Sequence, residues 1–303
     1  MKKKVVVGIG EILWDMLPSG KQMGGAPANF AYFAGKLGAE AHVASAVGSD
    51  APGREIILKL GKMGLGRKFL AIDKTHPTGV VNVMLDSSGK PSYEIKRNVA
   101  WDFIRLSPEL AALARRTEAV CFGTLAQRSA MSRKTIRRFI ALTPATALKV
   151  FDINLRQKFY APAMIRDLLK ISNVLKINDE ELQEVSSMLH LRGSEKAVVK
   201  KIMGRYKLRA VAVTKGARGA TLYYHQGAFS AGSKNVRVVD TVGAGDSFTA
   251  AFVMGMLNRL GPEKIVRAAT ALAGYVCGRH GATPPLSSKL IRRLGIKQLR
   301  GEI

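Results

Sequence analysis

The stretch Asp240-Thr241-Val242-Gly243-Ala244-Gly245-Asp246 combines the residue types needed to handle a phosphoryl group. Two glycines let a backbone turn sharply and come close to a ligand. The residues after the turn, Ser247 to Leu260, read as a long helix. A turn feeding a helix N-terminus aims free N–H groups and the positive end of the helix dipole at one spot. That spot suits a phosphate, or the charge on a phosphoryl group in flight. Asp246 falls in the first helical turn, placed to take a proton from a hydroxyl held beside the phosphate. The local chemistry is therefore phosphoryl transfer to an alcohol, with an amide-lined anion hole at Gly243, Ala244 and Gly245 and Asp246 as general base. The plain alternative is a strand–turn–helix, led in by the apolar run Val236–Val239, with an acid favoured by the helix dipole.

Other constellations sit where strands should end. Val213-Thr214-Lys215-Gly216-Ala217-Arg218-Gly219 is either a phosphate-contacting turn or a simple hairpin turn. Asn178-Asp179-Glu180-Glu181 is either a helix cap or a carboxamide–carboxylate pair that orients Mg2+ through water, since Mg2+ keeps several waters and takes few protein ligands. In Asp152-Ile153-Asn154-Leu155-Arg156 the arginine is either a bidentate phosphate clamp or the partner of a surface acid. Near the front, Asp15 and Asn29 bracket Gly24-Gly25, and a carboxylate with a carboxamide can grip vicinal hydroxyls. No Gly-x4-Gly-Lys-Ser/Thr loop occurs, and Gly8-Ile9-Gly10 lacks the third glycine of a dinucleotide loop. A nucleotide must be held in another way.

The elements that must position these residues follow from hydrophobic periodicity. Lys4–Ile9 reads as a buried strand, Gly24–Leu37 as a helix opening ending at Gly38, Ala41–Val47 as a strand, Pro52–Met63 as a helix and Lys68–Ile72 as a strand. This alternation predicts an α/β fold with a mainly parallel sheet and helices on both faces. Two strand-like runs, Thr78–Asp86 and Ser92–Lys96, flank the turn cluster Asp86–Lys90 and break the alternation. With Ile12–Leu17 they predict a small sheet that serves as a lid, or else a peripheral hairpin. Alternation then resumes to Thr214, followed by hairpin-like runs at Ala220–Tyr224 and Ala228–Ala231 and helices at Pro262–Val276 and Ser287–Leu294.

The 303 residues suffice for one large α/β domain or two small ones, and 47% hydrophobic content supports a sizeable core. The start, Met1-Lys2-Lys3-Lys4 before a short apolar stretch, imitates a signal peptide, but Glu11 and Asp15 follow at once. No apolar run approaches the ~20 residues of a membrane span. Cys121 and Cys277 are isolated in apolar surroundings, which predicts two buried thiols in a reducing cytoplasm. The five histidines are scattered without metal-ligand spacing. The net charge of +26 is unusual: no acid falls between Ala119 and Phe151, nor from Lys196 to Val239. Such a surface draws in anionic ligands and binds polyanions at low salt. No nucleic-acid motif accompanies it, so no specific nucleic-acid partner is expected.

Taken together, these motifs resemble the ribokinase-like carbohydrate kinases, fructokinase branch, over essentially the whole chain. Gly24-Gly25-Ala26-Pro27-Ala28-Asn29-Phe30-Ala31 is similar to the N-terminal signature of that family and Asp240–Asp246 to its C-terminal one. The resemblance implies a ribokinase-like fold with a small β lid (about 11–20 and 76–104 of a single domain spanning 1–303). It implies ATP-dependent phosphorylation of a sugar hydroxyl with Mg2+, most simply fructose to fructose 6-phosphate. Ribose, 2-keto-3-deoxygluconate, nucleosides and sugar phosphates are alternative acceptors, and a non-catalytic, nucleic-acid-binding protein on the same fold is the alternative of another class. By the same resemblance Asp15, Gly25 and Asn29 match sugar-binding positions, and Arg97 matches an arginine reaching the sugar from the lid. Asn178 and Glu181 match residues linked to Mg2+ and phosphate, Thr214, Gly216 and Gly219 the nucleotide turn, and Asp240 and Val242 half of a monovalent-cation site suited to K+. Family members are often dimers, which implies a homodimer.

Overall fold

Val5-Val6-Val7-Gly8-Ile9 is apolar on both faces, and in the computed structural model of the chain it forms a strand buried at every residue. The structure describes residues 2–17, 20–85, 91–233 and 236–296. The strands are β1 (Val5–Ile9), β2 (Leu13–Leu17), β3 (Gly20–Gly24), β4 (Glu40–Gly48), β5 (Leu70–Asp73), β6 (Gly79–Leu85), β7 (Pro91–Ile95), β8 (Ala119–Phe122), β9 (Leu148–Asp152), β10 (Val174–Asn178), β11 (Ala210–Thr214), β12 (Ala220–Tyr224) and β13 (Gly227–Ala231). The helices are α1 (Ala26–Lys36), α2 (Ala51–Lys62), α3 (Pro108–Arg116), α4 (Ala130–Leu142), α5 (Pro162–Ile171), α6 (Asp179–Met188), α7 (Glu195–Tyr206), α8 (Ala244–Leu257), α9 (Pro262–Cys277) and α10 (Ser288–Leu294).

Nine strands form one sheet in the order β13-β12-β11-β10-β9-β8-β1-β4-β5. Its pairs are parallel from β5 to β11, and β12 and β13 add an antiparallel edge. This is the α/β architecture that the alternation predicts. Successive residues of a strand face opposite sides. Val6 joins the core beneath α1, α8 and α9, while Val5 and Val7 join the core beneath α3 to α7. Strand order reverses at β1, with β4 and β5 on one side of it and β8 onward on the other. Ligands of such sheets bind outside the carboxyl ends at the point of reversal. Glu11, Asp152, Asn178 and Thr214 all lie at or just past carboxyl ends of strands on that stretch.

A second sheet, ordered β3-β2-β6-β7, comes from insertions after β1 and after β5. Strand β2 runs parallel to β6 and antiparallel to β3. Strand β3 is absent from the sequence reading, because Gly20-Lys21-Gln22-Met23-Gly24 carries almost no β-forming residues. The expected turn cluster at Asp86–Lys90 lies outside the described residues. Two expectations need correction. The run Val236–Val239 is not a strand: the Val239 and Asp240 amides donate to the Cys277 carbonyl at the end of α9, and Val238, Val239 and Val242 are exposed. Cys277 is only half-buried, whereas Cys121 is buried, and both thiols are free.

Candidate active site

Helix α8 is apolar nearly all round and buried from Ser247 to Gly255, packed against α9 and α1. That packing fixes its N-terminus. Gly243 caps it at φ 79° and lies so close to the Ala282 carbonyl that a Cβ has no room. The Asp240 carboxylate ties the same turn together, accepting from the Val242 amide at 2.9 Å and the Gly281 amide at 3.0 Å. The 240–243 turn and the 281–282 segment thus meet.

Asp246 accepts a hydrogen bond from Asn29 Nδ2 at 2.8 Å, joining segments 217 residues apart. Asn29 is buried on α1, whose first residue follows Gly25 at φ 115°. Gly25 packs on the Glu11 carbonyl, where no side chain fits. Burial pushes the Asp246 carboxyl up to about 6, the Asp152 charge adds to this, and Asn29, Lys176 and Arg156 oppose it. Asp15, half-buried on β2, is also raised to about 6 by burial, with Arg156 opposing. Arg156 itself is exposed; its Nη1 donates to the Leu155 carbonyl, and among the described residues it pairs with no surface acid. Its field still reaches Glu11, Asp15 and Asp246. Arg97 is exposed and stacks over Phe159 at 4.9 Å, bringing the end of the small sheet against the loop after Arg156.

On the other side of the α8 N-terminus lies a cavity of about 740 Å3. Thr214, Gly216 and Gly219 line one wall, Asn178 and Lys176 the floor, and Ala244 and Gly245 the far side. Gly216 and Gly219 have φ of 53° and 87°, and Gly219 abuts the Ala231 carbonyl. A larger cavity of about 960 Å3 lies behind, sharing Val236, Thr270 and Gly274, but none of these sequence-predicted residues faces it.

Asn178 and Glu181 form a reciprocal cap: Asn178 Oδ1 accepts from the Glu181 amide at 2.7 Å, and Glu181 Oε2 from the Asn178 amide at 2.9 Å. Glu181 Oε1 accepts from the Leu155 amide at 3.0 Å. The capping alternative therefore holds, and it also pins the loop after β9 to the start of α6. Among the described residues no three His, Cys, Asp or Glu side chains converge as a metal cluster. The donor set fits a Mg2+ carried mainly by phosphate and water, because each Glu181 oxygen keeps a lone pair beside its amide bond.

Three participants escape sequence reasoning. Glu11 is 3% exposed; burial first, then the Asp246 charge, raises it to about 7, against the opposing pull of nearby backbone amides and of Arg156. Its Oε2 and Asn29 Oδ1 are buried acceptors without a partner among the described residues. Lys176 is buried and pairs with Asp152 at 3.0 Å, and Asp152 accepts from Thr249 at 2.8 Å. Arg128 pairs with buried Asp102 through two bonds of 2.8 and 2.9 Å and stacks on Trp101 at 4.0 Å. The available signals were an acid directly after a buried strand, a lysine inside one, and an arginine past the end of one.

The chain matches the pfkB family carbohydrate kinases over residues 19–289. It is 29% identical over 295 residues to a fructokinase of Salmonella typhimurium, covering 93% of this chain and 94% of that one. An uncharacterized sugar kinase of Pyrococcus horikoshii, solved in complex with ATP, superposes with a TM-score of 0.79 at 26% identity, covering 96% and 99% of the two chains. A fructokinase of Xylella fastidiosa with bound ATP shares the fold, with a TM-score of 0.84 at 20% identity over 97% and 98% of the chains.

Proposed function

The chain belongs to the pfkB family of carbohydrate kinases, and on that premise we propose that it transfers the γ-phosphoryl group of ATP to a sugar hydroxyl, with D-fructose as acceptor and fructose 6-phosphate as product. The observation that carries the reading is the Asn29–Asp246 bond of 2.8 Å. It joins a sugar-gripping turn to a helix N-terminus that can hold phosphate. Asp246 is ionised in most molecules at neutral pH, since its carboxyl lies near 6, and it takes the hydroxyl proton. The hydroxyl oxygen bonds to the γ-phosphorus, and the bond to the β-phosphate oxygen breaks, leaving its electron pair on ADP. The amides of Gly243, Ala244 and Gly245 stabilise the charge in transit.

In this reading Asp15, Gly25 and Asn29 hold the sugar, with Arg97 and Arg156 at its rim. The orphaned acceptors Glu11 Oε2 and Asn29 Oδ1 support a ligand rich in hydroxyl donors. ATP lies in the cavity of about 740 Å3, along Asn178, Thr214, Gly216 and Gly219. Asn178 and Glu181 hold Mg2+ through water, and Mg2+ neutralises phosphate charge when bound. Asp240 and the Val242 carbonyl contribute to a K+ site. The small sheet acts as a lid that excludes water. A homodimer and a cytoplasmic setting complete the reading; no described helix is long and apolar enough to cross a membrane.

The test is ADP release with ATP, Mg2+ and K+ against fructose, ribose, 2-keto-3-deoxygluconate, adenosine and fructose 1-phosphate. Turnover strongest on fructose is expected. Strong turnover on another acceptor alone overturns fructose as substrate, and silence on all five overturns the activity.

A further inference from the structure

Lys176 is a buried ammonium with an incomplete set of partners. It stands on β10, two residues before Asn178, with a side chain only 9% exposed. Its Nζ donates to Asp152 Oδ1 at 3.0 Å. The other Asp152 oxygen accepts from Thr249 Oγ1, which also donates to the Gly245 carbonyl at 2.9 Å. An ammonium carries three N–H groups, and among the described residues Asp152 is the one hydrogen-bond partner of this one. What remains exposed of the side chain opens into the cavity of about 740 Å3.

The neighbouring turn has the same orientation. A Cβ on Gly245 would stand 3.1 Å from Lys176 Nζ. The second glycine of Gly243-Ala244-Gly245 therefore leaves room for the ammonium beside the first turn of α8, and Lys176, Ala244 and Gly245 line one cavity. A purely structural ion pair needs neither that opening nor that glycine. Burying an ammonium is costly unless its donors are met, and two of its three N–H groups have no acceptor among the described residues. The surrounding carboxylates of Asp152, Glu181 and Asp246 all favour the charged form of Lys176. They would also repel a triphosphate, and Lys176 is the buried cation that offsets them.

We propose that Lys176 is a catalytic residue whose ammonium donates to the phosphoryl oxygens of the nucleotide, completing with the Gly243–Gly245 amides a cradle that replaces the missing phosphate-loop lysine. Lysine suits the task as a compact point charge. The proposal rests on the nucleotide reading above. It adds no bond change to the transfer: the phosphorus–oxygen bond still breaks towards ADP, and the proton still goes to Asp246.

The test compares wild type, D152N and D152N/K176M. The double variant removes both buried charges, so it avoids stranding Asp152 alone. Affinities for ATP and for adenosine are measured by calorimetry, and kcat and sugar KM on the best acceptor. Relative to D152N, the double variant should bind ATP at least about 10-fold more weakly, leave adenosine affinity unchanged, and lose about 10²-fold or more in kcat with sugar KM within about threefold. Equal ATP affinity and kcat in the two variants would overturn the proposal and reduce Lys176 to a counter-ion of Asp152. If wild type turns over no sugar, the kinase reading fails, while the ATP-against-adenosine comparison still decides Lys176. If the double variant does not fold, the Lys176 ammonium resonance of 15N-labelled wild type decides: it should shift with ATP and not with adenosine, and no shift with ATP refutes the assignment.

Discussion

Replacing Asp246 by asparagine should abolish turnover and stabilise the protein at once. The carboxyl is raised from 3.8 to about 6, chiefly by burial and then by the Asp152 charge. That rise corresponds to about 3 kcal/mol against the ionised folded form. Asp246 is partly exposed, which lowers the expected gain to about 2–3 kcal/mol. The sign follows from linkage. A raised carboxyl means that the folded state holds the proton more tightly than the unfolded chain. That contribution is complete below pH 3.8 and is lost as pH rises through about 6. Asparagine keeps an acceptor for Asn29 and carries no charge. The variant should therefore match wild type near pH 4 and exceed it at pH 8, by about 3–5 °C in Tm for a chain of this size. Release of Glu11 from the Asp246 charge acts in the same direction. Calorimetric melts from pH 4 to 8 read the stability, and coupled ADP release reads a loss of about 10²–10⁴-fold in kcat for a missing base. A variant less stable than wild type at pH 8, a difference independent of pH, or undiminished turnover would each refute the argument.

Glu11→Gln should likewise stabilise at pH 8 and not at pH 4.5, by about 3 kcal/mol, because burial lifts that carboxyl from 4.5 to about 7; urea melts at the two pH values check it. Gly243→Ala should cost more than about 2 kcal/mol and most of the activity, since φ is 79° and the Cβ meets the Ala282 carbonyl. Gly216→Ala, at φ 53° but in open space, should cost only about 1 kcal/mol, so similar melts for the two would contradict the packing account. Arg128→Leu should destabilise by about 3–5 kcal/mol by stranding buried Asp102, and adding Asp102→Asn should recover much of the loss in a double-mutant cycle.

The sheet was legible because its strands are short apolar runs between helices with clear caps. Ser107-Pro108 and Asn178–Glu181 mark helix starts by chemistry that acts within four residues. The glycine turns were legible for the same local reason. What stayed hidden depends on partners far along the chain. Lys176 interrupts Val174-Leu175-Lys176-Ile177 like any edge lysine, and only the fold places Asp152 beside it. Strand β3 exists because β2 offers it a ladder, not because of its own composition. Val236–Val239 has the composition of a strand, yet its backbone turns to the end of α9. Among the predicted site residues, Asp246 and Asn29 meet as their chemistry asks, while Glu181 and Asp240 spend their oxygens on backbone amides.

Charge is distributed in two opposed ways. The chain carries 48 lysines and arginines against 22 acids, yet Glu11, Asp15, Asp152, Glu181 and Asp246 lie around the α8 N-terminus and the nearby strand ends. The exposed cations act at a distance and are screened by salt over about 8–10 Å. Their effect falls on the encounter of an anionic ligand with the protein. The clustered acids act at contact distance in a poorly solvated site, where salt has little effect. They would hold back a bare triphosphate and favour one already neutralised by a divalent cation. Raising ionic strength should therefore lower kcat/KM for ATP through slower encounter while leaving kcat nearly unchanged. A proportional fall in kcat would instead place the surface cations in the chemical step.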